Sequence, residues 1–132
     1  MNTKMILIAA IAACGLSAQV NETKIQAAVP FAFEAKGAQM PAGKYEMVRN
    51  AERAVLTLRN METGKRVVMT AGAASDNKHN SSSLEFKRYG DTFFLSAVEF
   101  QNSGRKISVM TSRREKEMAS TARPEIVLAR AE

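Results

Sequence analysis

Residues 83–100 read SLEFKRYGDTFFLSAVEF, two runs of alternating apolar and polar residues either side of Gly90-Asp91. A two-residue connection that begins with glycine suits the primed turns whose twist matches that of paired strands. The spacing therefore predicts a β-hairpin that sets Arg88 opposite Phe93, Phe86 opposite Leu95 and Leu84 opposite Ala97. That register collects Leu84, Phe86, Phe93, Leu95 and Ala97 on one face, and a slip of one residue would scatter them. Phe94, Val98 and Phe100 then point the other way. A strand apolar on both sides is central, or has its second face covered by another segment.

The same alternation extends outward. Ile25, Ala27, Val29, Phe31 and Phe33 recur at period two, with Pro30 marking an edge or a bulge because it has no N–H to give a ladder. Pro41-Ala42-Gly43 is turn chemistry, and Lys44–Arg49 after it is a strand with Tyr45 and Met47 on one face. Ala54–Arg59 and Arg66–Thr70 flank a Gly64-containing connection and form a second hairpin. Residues 71–82 (AGAASDNKHNSS) are small and polar, which predicts a loop. Lys106–Met110 and Glu125–Ala129 are further strands. Residues 112–120 (SRREKEMAS) are helical, opened by Ser112 and Glu115 in the S-x-x-E pattern of a capping box. The expected fold is all-β: an antiparallel sandwich or small barrel of seven or eight strands with one short helix near the C-terminus.

The leader is a different kind of sequence. Lys4 followed by the uncharged run Met5–Ala13 and by small residues ending at Ala18 has the form of a signal peptide. Residues 1–18 are then the leader and residues 19–132 one β-rich domain, beginning at Gln19 and exported to the periplasm or beyond. A competing pattern is Ile11-Ala12-Ala13-Cys14, which resembles a lipobox and would anchor the protein through a lipidated Cys14. No long apolar run follows residue 18, so no transmembrane helix is expected after cleavage. Cys14 is the sole cysteine, so the body has neither disulfide nor thiol chemistry.

Val29-Pro30-Phe31-Ala32-Phe33, Pro41-Ala42-Gly43-Lys44-Tyr45, Phe86–Asp91 running into Phe93–Ser96, and Ser112-Arg113 with Glu115-Lys116-Glu117 occur in an order that resembles an uncharacterised family of small secreted proteins common in Acidobacteria. The resemblance implies export and a β-rich fold, and it carries no activity and no site.

Chemistry is harder to locate. Asp76, His79 and the serines 81–83 are neighbours in one loop, whereas a catalytic triad is assembled by a folded pocket. No metal, phosphate-loop or paired-carboxylate motif is present, so no catalytic, metal or cofactor residue is assigned. The acids look like isolated surface charges. Phe86-Lys87-Arg88-Tyr89 mixes aromatic with basic residues, but alternation already places Phe86 in the core and export argues against nucleic acid. The chain is basic, with a net charge of +6 and a pI near 9.8. Arg113, Arg114 and Lys116 open the helix, where the positive end of its dipole disfavours cations. They are candidates for an anionic partner, either an envelope polymer or a lipid surface. Glu115 and Glu117 among them argue instead for an ordinary solvated face. Two functions follow: an exported, non-catalytic domain that binds a polymer, an anionic surface or a partner protein, or a small secreted hydrolase with dispersed catalytic residues.

Overall fold

A computed structural model describes residues 22–77, 81–101 and 104–132. The leader, the junction between Ala18 and Gln19, Cys14 and His79 lie outside the described residues. The elements are β1 (Glu22–Val29), β2 (Phe33–Ala35), β3 (Ala38–Met40), β4 (Gly43–Asn50), β5 (Val55–Asn60), β6 (Arg66–Asp76), β7 (Ser83–Tyr89), β8 (Thr92–Phe100), β9 (Arg105–Val109), α1 (Arg113–Ala119) and β10 (Glu125–Arg130).

The ten strands form one sheet in the order β1-β4-β5-β6-β9-β8, and β8 leads on to β7 with β10 and to β2 with β3. Every pairing is antiparallel except that of β2 with β8, which is parallel at Glu34 and Phe94. The sheet is thus mixed, where a purely antiparallel one was expected. It is also open. β1 meets the tail of β10 at one isolated bridge, Ala27 with Ala131, supported by the Glu132 N–H donating to the Gln26 carbonyl. A single bridge is not a ladder, so the barrel does not close.

The two strands beyond the expected eight have local causes. Pro30 ends β1, so the period-two run from Ile25 to Phe33 splits into β1 and β2. Lys36-Gly37 then turns the chain back into β3, both residues taking positive φ (50° and 76°) as a two-residue primed turn requires. Lys36 is the strained member, and its ammonium reaches Val68 O at 3.1 Å.

The central hairpin forms at Gly90-Asp91, with positive φ at Gly90 (62°). Arg88 faces Phe93 and Phe86 faces Leu95, as the alternation predicts. One step further the register shifts: Glu85 faces Ala97 and Leu84 faces Val98, leaving Ser96 as the extra residue of a bulge. The bulge reverses the parity of β8. Val98 and Phe100 join Leu84, Phe86 and Leu95 in the main core, and Ala97 goes to the outer face instead.

The sheet curls around that core, which draws on all ten strands. Phe86 sits in its centre, edge-on to Phe31 and Phe33, each at 5.0 Å between centroids. Phe33 also meets Tyr45 edge-on. Tyr45 is fully buried, and its hydroxyl donates to the Pro41 carbonyl, tying the Pro41-Ala42-Gly43 turn to the interior.

Residues 71–76 are a strand where a loop was expected. They lack large side chains, but β9 supplies a ladder: Ala71 pairs with Val109, and Ala74–Asp76 pair with Ile107–Arg105. The register shifts between Ala71 and Ala74.

Candidate functional site

The second face of the central hairpin is where the polar chemistry collects. Alternation sends Glu85 and Tyr89 to the side opposite Leu84 and Phe86, with Phe94 and Ala97 from β8. Tyr89 and Phe94 are both buried and meet edge-on at 5.7 Å. The element that reaches down onto this face is α1.

The helix begins as its sequence dictates. Ser112 takes an extended N-cap conformation and its Oγ accepts from the Glu115 N–H at 3.2 Å. The carboxylate of Glu115 turns inward instead of serving the cap, and accepts from the Tyr89 hydroxyl at 3.1 Å. Burial pushes the Tyr89 phenol above the usual tyrosine range, and the hydrogen bond and charge of Glu115 push it the same way.

Among the described residues four glutamates are buried: Glu34, Glu85, Glu99 and Glu115. They are not the surface charges that an isolated acid in a sequence suggests. Burial of a carboxylate requires a cation or hydrogen-bond donors nearby. Lys106 supplies its ammonium to Glu85 at 2.8 Å. Arg114 reaches from α1 to Glu34, with Nε 2.9 Å from Oε2. Nevertheless Glu34 Oε2 has no hydrogen bond. The contact is a close charge pair without a directed hydrogen bond. Among the described residues, no three His, Cys, Asp or Glu side chains are placed to hold a metal ion.

Three concavities adjoin these elements. The largest, about 700 Å³, lies along the open seam between β1 and the tail of β10, with Lys24, Gln26, Glu46, Ser82, Arg130 and Glu132 in its walls. A shallow groove runs over α1 past Arg113, Arg114, Glu117 and Met118. A recess of about 200 Å³ beside Glu34 is bordered by Gln39, Asp91, Thr92, Phe93 and Arg114.

Of the three basic residues proposed for an anionic partner, Arg113 and Lys116 are exposed on α1. Arg114 is drawn aside to Glu34, although more than half of its side chain stays exposed. The sequence reading placed Glu115 in the capping box and on a solvated face, and gave Glu34 and Tyr89 no role in a site. For Tyr89 the available signal was the second apolar face of the hairpin, which had to be covered by something. Among the described residues, no helix is long and apolar enough to cross a membrane. No family model, no curated protein and no solved structure matches this chain.

Proposed function

We propose that the chain is an exported, non-catalytic β-domain that binds an acidic envelope or extracellular polymer through the outer face of α1. The leader carries the export part of this reading. The observation that carries the binding part is the inward turn of Glu115. In sequence, two acids temper the three basic residues at the start of the helix. In the folded chain Glu115 is buried against Tyr89, so Glu117 is the acid that α1 still presents beside Arg113 and Lys116. With Glu115 turned inward and Arg114 drawn to Glu34, the outer face presents Arg113 and Lys116 against Glu117 alone, and cations facing solvent in that arrangement attract a polyanion over about a Debye length, ~10 Å at 0.1 M salt.

The test is binding of the domain to polygalacturonate at several salt concentrations, with anionic phospholipid vesicles as a second arm. The expected affinity falls by about tenfold or more as salt rises from ~20 to ~200 mM. Reversing Arg113 and Lys116 to Glu abolishes it while the unfolding midpoint stays put. Binding that ignores salt, or that survives both reversals, refutes the assignment. Vesicle binding without polymer binding moves the partner to a membrane surface.

A further inference from the structure

The contact between Arg114 and Glu34 leads to a second site of opposite preference. Glu34 is 4% exposed, at the one residue pair where β2 runs parallel to β8. A carboxylate so far from water needs both a positive charge and directed donors. Arg114 supplies the charge at 2.9 Å but makes no directed hydrogen bond to Oε2. The Arg114 side chain is 59% exposed, so solvent competes for it. It lies over Glu34 like a loose cover. Next to it is the recess of about 200 Å³, with Asp91 as a further acid and Gln39 and Thr92 as neutral polar groups in its wall. That space holds roughly seven waters at ~30 Å³ each, or one small planar head group.

We infer that the recess beside Glu34 is a binding site for a small organic cation bearing N–H donors, of the guanidinium or primary ammonium class, which takes the place that Arg114 now occupies. The incoming cation makes the directed N–H bond to Oε2 that Arg114 lacks, and its charge replaces that of Arg114 at Glu34. Displaced Arg114 needs no new partner, because it moves into water. The inference does not depend on the anionic partner proposed for α1, which uses Arg113 and Lys116.

The experiment is titration of the intact domain with methylguanidinium, followed through the backbone amide resonances of Gln39, Thr92 and Phe93, with tetramethylammonium as a cation that has no N–H. Wild-type protein is expected to bind methylguanidinium in the millimolar range and to ignore tetramethylammonium. If Arg114 covers Glu34 for about four-fifths of the time, Arg114→Ala tightens binding about fivefold by freeing the site. Glu34→Gln, which keeps the shape and a polar atom, loses the binding while retaining a folded amide spectrum. A blocked arginine amide is the second ligand: binding tighter than that of methylguanidinium supports the site and identifies its source as a basic peptide side chain. Equal shifts from tetramethylammonium, unchanged binding in Glu34→Gln, or no gain in Arg114→Ala overturns the assignment.

Discussion

Phe86 is the residue whose truncation should cost the fold most. It is fully buried, it pairs with Leu95 on one side and Val127 on the other, and it meets Phe31 and Phe33 edge-on. Phe→Ala at a closed core site costs about 3–5 kcal/mol, from lost transfer energy and from the cavity left behind. Edge-on aromatic pairs contribute ~0.5–1.5 kcal/mol each beyond their buried area, and Phe86 loses two of them. Strands on both sides hinder collapse of the cavity. The upper half of the range, about 4–5 kcal/mol, is therefore expected. A domain of this size has a total stability of ~5–15 kcal/mol, so the variant sits near the edge of folding. With a urea slope of ~1.5 kcal/mol/M the midpoint falls by about 3 M, at unchanged slope. Equilibrium urea unfolding of wild type and Phe86→Ala measures this directly. A loss below about 1 kcal/mol means that Phe86 does not sit in the core, and the register of the Gly90-Asp91 hairpin is then wrong.

Burial raises the phenol pKa of Tyr45, against an opposing hydrogen bond from Asn60 and with help from the Glu62 charge, and burial with Glu115 raises that of Tyr89. Both folded values exceed the unfolded one, near 10.0, so the contribution of these phenols is complete below that pH. Above it the unfolded chain ionises first, and stability is lost as pH rises through the folded values; alkaline titration should show phenolate absorbance appearing late and together with unfolding, whereas ionisation at the ordinary tyrosine pKa with the fold intact contradicts the burial. Gly72→Ala would set a Cβ 2.9 Å from the Ser108 carbonyl oxygen, a backbone atom that cannot yield without moving β9. The expected loss is ~1–3 kcal/mol in thermal or urea unfolding, and a neutral effect would mean that β6 and β9 are spaced more widely here.

Much of the sheet was legible because alternation is a local property. Tyr45 and Met47 inward, the Gly90-Asp91 turn, and the pairs Arg88–Phe93 and Phe86–Leu95 all follow from period two and glycine's tolerance of positive φ. The Ser96 bulge was not legible: nothing in Leu-Ser-Ala-Val marks which residue drops out of the ladder, and parity beyond it inverted. Residues 71–76 failed for another reason. Ala-Gly-Ala-Ala-Ser has little β preference of its own, and what makes it a strand is the ladder offered by β9, thirty residues on. On α1 the Ser112 cap was read correctly from its spacing, because a cap is satisfied within one turn. The fate of Glu115 depends on Tyr89, 26 residues earlier, and no helix-level pattern carries that information. The same holds for Glu34 and Glu85, whose partners lie on distant elements.

The buried acids also bear on why α1 sits where it does. A seven-residue helix has too few internal hydrogen bonds to hold itself in water and must be held by the sheet. Apolar residues on α1 would do this most economically, yet none of its residues belongs to the main hydrophobic core. It is fixed instead by Glu115 on Tyr89 and Arg114 on Glu34. A charge pair with one partner more than half exposed contributes little net stability, since solvent screens it, while the desolvation of Glu34 remains. The core would be no less complete with α1 lifted away, but Tyr89 and Glu34 would be uncovered. An ionic attachment of this kind is poor as a structural clamp. It suits an element that has to exchange its contacts, and the two sites argued above lie on either side of it: the exposed Arg113 and Lys116 on its outer surface, and the half-satisfied carboxylate of Glu34 beneath Arg114.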